Sequence, residues 1–284
     1  MNELQAQETR KVRRLKTTKP YVIPYLVWSL ILLVLPFLLL IFMAFTTYDF
    51  SSGSEVSFTL KNWQYVFGSS YAQTVFWPAI WRTFYVSLLV TVVCFLIGYP
   101  TAYVMTKIKP VWRIIIMALL VLPLWMNQVL RIVSWRTVFN MIYGTSISSH
   151  YTVCIIIAMT SMYLPFMIVP IYTVLEKIDP KLEEASYDLG CNKAQSFLKV
   201  VFPLSLGGIV SGIIMTFLPS ITSFEVSDAV SDGTVLLLGN LIYTRFKGTG
   251  GFNVGSVFSV FTILFTLVGF ILLMRVDKEG ETLI

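Results

Sequence analysis

The chain has 284 residues, 56% of them apolar and only 13% charged, with a formal net charge of +6 and a mean hydropathy of +0.76. Soluble domains carry about 25% charged residues, so this composition excludes a soluble enzyme or binding module and describes an integral membrane protein. The 21 lysines and arginines are scattered among loops and form no single patch, which leaves no surface for nucleic acid.

Residues 1–20 are a basic tail carrying Arg10, Lys11, Arg13, Arg14, Lys16 and Lys19. The apolar run that follows, 21–48, is about twice the length of a signal-peptide core, and no small-residue cleavage pattern follows at Ala44-Phe45-Thr46. It is predicted to be an uncleaved first span. Further runs without a charged residue cover 83–106, 114–130, 151–175, 200–224 and 248–274. A helix needs about 20 apolar residues to cross the hydrocarbon core and rarely manages with fewer than about 17. The run 114–130 sits at that limit, with Arg113 and Arg131 at its ends to snorkel. The expected architecture is therefore all-α: six transmembrane helices over 21–274, then a short tail, 275–284.

Pro36, Pro100, Pro123, Pro165, Pro170 and Pro219 fall inside these runs and favour kinks. The first loop, about 49–77, is long enough for a small folded piece. Its aromatic stretch, Phe58 to Phe67, has two readings: an interfacial belt with a short surface helix, or a contact surface for an extracellular partner. With the amino terminus inside, fifteen of the 21 basic residues face inward. Only Lys61, Arg82, Arg131, Arg136, Arg245 and Lys247 face outward, and the positive-inside rule then places both termini in the cytoplasm.

Cys94 and Cys154 lie within spans and Cys191 on the inner side, so no disulfide framework is expected. His150 has no cysteine or histidine cluster beside it and is read as a loop or interface residue. No metal site is expected.

Between the fourth and fifth spans lies a polar island, 176–203. Asp179-Pro180 is a helix start, with Asp as N-cap and Pro in the first turn. Ile178, Leu182, Ala185 and Leu189 follow at spacings of four, three and four and make one apolar stripe. Gly190 suits a left-handed helix end, and Asn192 with Gln195 resembles a capping box for a second short helix. Such an amphipathic helix either packs on its own membrane domain or docks a soluble partner. Further on, Glu225, Asp228 and Asp232 cluster at the outer end of the fifth span, with no basic residue between Lys199 and Arg245. Carboxylates at a membrane boundary are costly when they face lipid, so these should face water, a partner or a polar cavity.

The island carries a resemblance. The signature of binding-protein-dependent ABC permeases is Glu-Ala-Ala, three residues, Gly, nine residues, an aliphatic, one residue, then Leu-Pro. Glu184-Ala185-Ser186, Gly190, Val200, Phe202 and Pro203 stand at those spacings, departing by Ser for the second Ala, Val for Ile and Phe for Leu. The resemblance implies a coupling helix seated on a nucleotide-binding subunit, with Glu184, Ala185 and Gly190 serving that contact. No Gly-x-x-x-x-Gly-Lys-Ser/Thr occurs, which agrees with a non-catalytic permease subunit whose ATP and magnesium belong to a separate ATPase chain.

Tyr99-Pro100, Pro123-x-Trp125-x-Asn127-x-x-x-Arg131 and Leu164-Pro165-Phe166-Met167 resemble the spermidine/putrescine permease subfamily, in particular the first of its two permease subunits. So do Phe224-x-Val226-Ser227-Asp228 and Gly239-Asn240-Leu241-Ile242. The segment 136–151 is shorter than is usual there, by something like twenty residues. The resemblance implies an importer in a bacterial cell membrane. Its other parts would be a sister permease, two cytoplasmic ATPases and an external substrate-binding protein. A polyamine is a flexible polycation. Asp228 and Glu225 are the candidate carboxylates for it, and Trp125 and Tyr163 the candidate cation–π faces. The rivals are a permease for sulfate, ferric iron or a thiamine-like cation, a stand-alone ion-coupled transporter, and a membrane enzyme. Acidic or histidine residues deep within spans would mark ion coupling, and the charge-free runs lack them.

Overall fold

The computed structural model describes residues 2–47, 56–248 and 251–276, and side chains except those of 2–22, 145 and 272–276. Part of the first loop and the tail from 277 onward lie outside the described residues. The described chain is helical throughout. Its one extended contact is an antiparallel bridge between Thr46 and Phe58 that closes the first loop.

In chain order the helices are α1 (Asn2–Ala44), α2 (Lys61–Gly68), α3 (Trp77–Lys107), α4 (Pro110–Val121), α5 (Gln128–Tyr143), α6 (Tyr151–Lys177) and α7 (Pro180–Asp188). They continue with α8 (Lys193–Ser196), α9 (Phe202–Leu204), α10 (Leu206–Thr222), α11 (Glu225–Ser231), α12 (Leu238–Lys247) and α13 (Phe252–Val276). Four uninterrupted stretches are long and apolar enough to cross a membrane: Ile23–Ala44, Ala72–Lys107, Ser146–Lys177 and Phe252–Ile271. Two more arise only when bent pairs are joined: Pro110–Trp125 with Gln128–Tyr143, turned by 98°, and Lys193–Leu204 with Leu206–Thr222, turned by 63°. The protein is thus a multi-pass membrane protein.

The third span expected over 114–130, with a kink favoured at Pro123, is sharply broken: Pro110–Trp125 and Gln128–Tyr143 meet at 98°. Pro123 falls in a 3-10 turn, Leu122–Trp125, where its missing N–H costs least. Asn127 then starts a new helix, its side chain accepting from the Val129 N–H at 2.9 Å. The chain therefore turns sharply inside what looks from composition like one apolar run.

The core lies where α3, α6 and α10 pack together, around Val90, Cys94, Met159, Met167 and Ile171. A second, aromatic cluster ties the first loop to α13. Phe45 lies 5.2 Å from Trp63, Trp63 5.9 Å from Phe67, and Phe76 5.1 Å from Phe258 between ring centroids. The aromatics of the loop are thus spent largely on their own fold, as the surface-helix reading expects. α1 stands apart: the window that marks it as a span is only 6% buried.

Candidate functional site

The polar island folds as its caps predict. Asp179 accepts the Lys181 N–H at 3.0 Å, and Asn192 and Gln195 exchange the two hydrogen bonds of a capping box. Gly190 has φ +86°, a conformation that side chains rarely adopt, and the Cys191 N–H closes onto Ser186 O at 3.0 Å. The sequence stretch Glu184 to Gly190 thus becomes a helix with a fixed end, followed at once by α8.

The two faces of α7 are the surprise. Of the apolar stripe only Ile178 packs against the membrane core. Leu182 is 48% and Leu189 86% exposed, and Ala185 and Glu184 are exposed beside them. The attachment to the rest of the protein runs through polar groups instead. Glu183 pairs with Lys107 at the end of α3, and also accepts from Tyr187 Oη at 2.8 Å and Tyr103 Oη at 3.3 Å. Burial pushes the Glu183 carboxyl up, but these donors outweigh it and hold it below the usual carboxylate range. Ser186, the departure from the family signature, is buried and hydrogen-bonds Ser196 Oγ at 2.6 Å, joining α7 to α8. A second ion pair, Arg113–Glu176 at 2.8 Å, fastens the start of α4 to the end of α6 beside it.

The self-packing reading of the stripe is therefore not what the structure supports. Leu182, Ala185 and Leu189 face outward instead, and apolar area of this kind gains its free energy only when something covers it.

At the other site a cavity of about 440 Å³ opens midway along α6, where α5 begins and α10 ends. Tyr163 and Glu225 line it, with Gln128, Arg131 and Phe224. Tyr163 is 8% exposed, with its hydroxyl 3.5 Å from Pro219 O. Trp125 is 89% exposed and does not line the cavity, although its neighbour Leu124 does. Asp228 lies on the exposed face of α11, outside the lining. Among the described residues its carboxylate has neither hydrogen bond nor ion pair.

The acidic cluster is less bare of cations than the sequence suggests. Arg136 reaches across from α5 and binds both carboxylate oxygens of Asp232, at 2.7 and 2.8 Å. Gln128 Nε2 donates to Glu225 at 3.0 Å, and Arg131 shares the cavity with Glu225. These partners lie far away in sequence and arrive through the 98° turn between α4 and α5.

Two residues singled out only as resemblance have a clear structural task. A Cβ on Gly239 would lie 2.9 Å from Phe224 Cβ and 3.0 Å from Thr222 O, so only glycine admits this approach. Asn240, buried, caps the Leu237 N–H at 3.1 Å and reaches Phe224 O at 3.5 Å. Together they brace the 222–224 turn that forms one wall of the cavity. The asparagine and glycine in an otherwise apolar stretch were the only available signal.

Comparison with known proteins accords with this geometry. The chain is 34% identical over 258 residues to a spermidine/putrescine transport system permease protein PotB of Haemophilus influenzae, covering 86% of this chain and 88% of that protein. It is 29% identical to the protein of that name from Escherichia coli, over 82% of this chain and 88% of the relative. Among solved structures, a bacterial ABC transporter that imports the acidic polysaccharide alginate contains a chain of the same fold. It superposes with a TM-score of 0.73 at 14% identity, over 97% of this chain and 99% of that one. The family described as binding-protein-dependent transport system inner membrane component matches residues 95–279, taking in α7, the cavity and the braced turn, and this chain belongs to that family.

Proposed function

We propose that the chain is one permease subunit of an ATP-driven importer and that its cargo is a polyamine such as spermidine or putrescine. The observation that carries the first half is the outward apolar stripe of α7, held in place by Glu183 and Ser186 and open to a soluble partner. In this reading two cytoplasmic ATPases hold the ATP and magnesium, and one of them covers Leu182, Ala185 and Leu189. A similar but distinct permease completes the pathway, and an external binding protein delivers the cargo. Both termini then face the cytoplasm, and the chain moves cargo by alternating access without forming any covalent intermediate.

The names of the relatives support the polyamine, and so does the chemistry of the outer site. Among the described residues Asp228 has an unpaired carboxylate on an exposed face, and Glu225 keeps acceptor capacity beyond its bond from Gln128. Tyr163 adds an aromatic wall. One observation favours an anionic solute instead: Arg131 lines the same cavity with its Nε buried and unpartnered.

The test is uptake of labelled spermidine and putrescine in cells with and without this chain, the partner genes intact, with excess sulfate, ferric iron or thiamine as competitors. Loss of polyamine uptake on deletion, restored by the wild type and indifferent to the competitors, is the expected result. Unchanged polyamine uptake in a strain with no second polyamine importer overturns the cargo, and competition by sulfate redirects it to an anion.

A further inference from the structure

The covalent route from α7 to the cavity runs through α8, α9 and α10 and crosses the 63° bend at Ser205. A bend is a compliant link. A second route avoids it. α3 is a single helix that runs on through Pro100, and hydrogen bonds hold it at three places. At one end Lys107 is paired with Glu183 of the docking helix. Two turns away, the buried Tyr99 Oη meets Ser205 Oγ at 2.9 Å, so α3 also grips the bend itself. Toward the other end, the buried Thr83 Oγ1 accepts the Leu238 N–H at 2.8 Å, at the first residue of α12. Leu238 is followed by Gly239 and Asn240, which brace the cavity wall at Phe224. Lys107 and Thr83 are separated by about 36 Å of helix, at 1.5 Å per residue.

We infer that α3 is a transmission rod between the docking helix and the cavity, and that Glu183 is the positioning residue that clips the rod to the helix. The inference rests on the importer reading above. The carboxylate suits the task because it gathers donors from two elements: Lys107 and Tyr103 from α3, and Tyr187 from α7. It is also well sheltered, its side chain 15% exposed, so water competes weakly for it. A push on α7 then moves α3 along with it, and α3 carries the far wall of the cavity through Thr83. None of this requires Glu183 to touch either the ATPase or the cargo.

The experiment uses the complete importer reconstituted in lipid vesicles, with spin labels at Trp81→Cys on α3 and Met141→Cys on α5, both exposed positions. Two readouts are taken together: polyamine taken up per ATP hydrolysed, and the change in label separation on ATP binding. Glu183→Gln should cut the uptake per ATP about tenfold and flatten the label response. The charge swap Lys107→Glu with Glu183→Lys should restore both. A purely structural role would leave the label response of any assembled variant intact. A wild-type response in Glu183→Gln overturns the clip. So does a swap that assembles yet stays uncoupled. If Glu183→Gln does not assemble, the swap alone decides by the same criteria. A wild type whose labels ignore ATP overturns the importer reading together with the clip. Labels that follow ATP without polyamine uptake overturn only the cargo.

Discussion

α7 and α11 are both short polar helices beside the membrane, and they are built on opposite plans. α11 turns Val226 and Val230 inward beside Ser227 and Ser231, all essentially fully buried, and leaves Glu225 and Asp228, with Asp232 just past its end, exposed. α7 turns Glu183 and Ser186 inward and leaves Leu182, Ala185 and Leu189 outward. The first plan is that of any surface element of a folded protein. The second is stable only because the inward polar groups are fully partnered, by Lys107, Tyr103, Tyr187 and Ser196. A helix that buries its apolar face belongs to its own fold. A helix that withholds that face leaves it open to another molecule, as the importer proposal requires.

The contrast breaks most sharply if one charge is placed on each apolar face. Val226→Asp puts an unpaired carboxylate in the core and should destabilise the chain by about 3–5 kcal/mol, seen as a large fall in thermal stability in detergent. Leu189→Asp should leave that stability within about 0.5 kcal/mol and instead reduce ATPase copurification and uptake by about thirtyfold. If both lose stability alike, α7 is an ordinary packed helix and the comparison fails.

A smaller effect sharpens the account within α11. Asp228→Asn removes a free carboxylate and should weaken polyamine uptake roughly tenfold, through KM more than the maximal rate. Asp232 is already engaged by Arg136 at the surface, and Asp232→Asn should change uptake less than about threefold. Dose–response curves for spermidine on both variants check the order. The reverse order would move the cation site to the Arg136 side of the helix.

The smallest effect is on pH. Against the opposing effect of burial in the folded chain, Lys107, Tyr187 and Tyr103 hold the Glu183 carboxyl below the usual range. Its contribution is therefore fully present above the ordinary glutamate value and lost as pH falls through the depressed one. The protection of α7 amides against hydrogen exchange, corrected for the intrinsic rate at each pH, should be flat from neutral pH down to that range and then fall, whereas Glu183→Gln should show no such step. A step at higher pH would mean that another group holds the helix.

Local signals carried far. Asp179-Pro180, Gly190 and the Asn192–Gln195 pair all lie within a few residues of what they control, and each folds as its chemistry directs. The spans were legible because a lipid-crossing helix demands about twenty residues without a charge, and water-soluble segments seldom go so long without one. A kink at Pro123 was legible, but the 98° size of the turn between α4 and α5 was hidden, because the apolar run crosses it without a change in composition. Pro123 and Asn127, read together as a stop and a cap, were the signal. What no local pattern could reveal was pairing at a distance: Lys107 with Glu183, Gln128 with Glu225, and Arg136 with Asp232. Those pairs exist only once the bundle has been assembled, and they decide which carboxylates remain free.

The bareness of α1 has a bearing on how the protein is made. Among the described residues α1 packs chiefly against α13, the last described helix. Synthesis delivers the amino-terminal segment first, and between helices in lipid there is no hydrophobic pull to hasten a meeting. The first span to enter the bilayer must therefore wait in lipid, without its main neighbour, until the last has arrived. A nascent chain halted before α13 would leave α1 without the neighbour it packs against most.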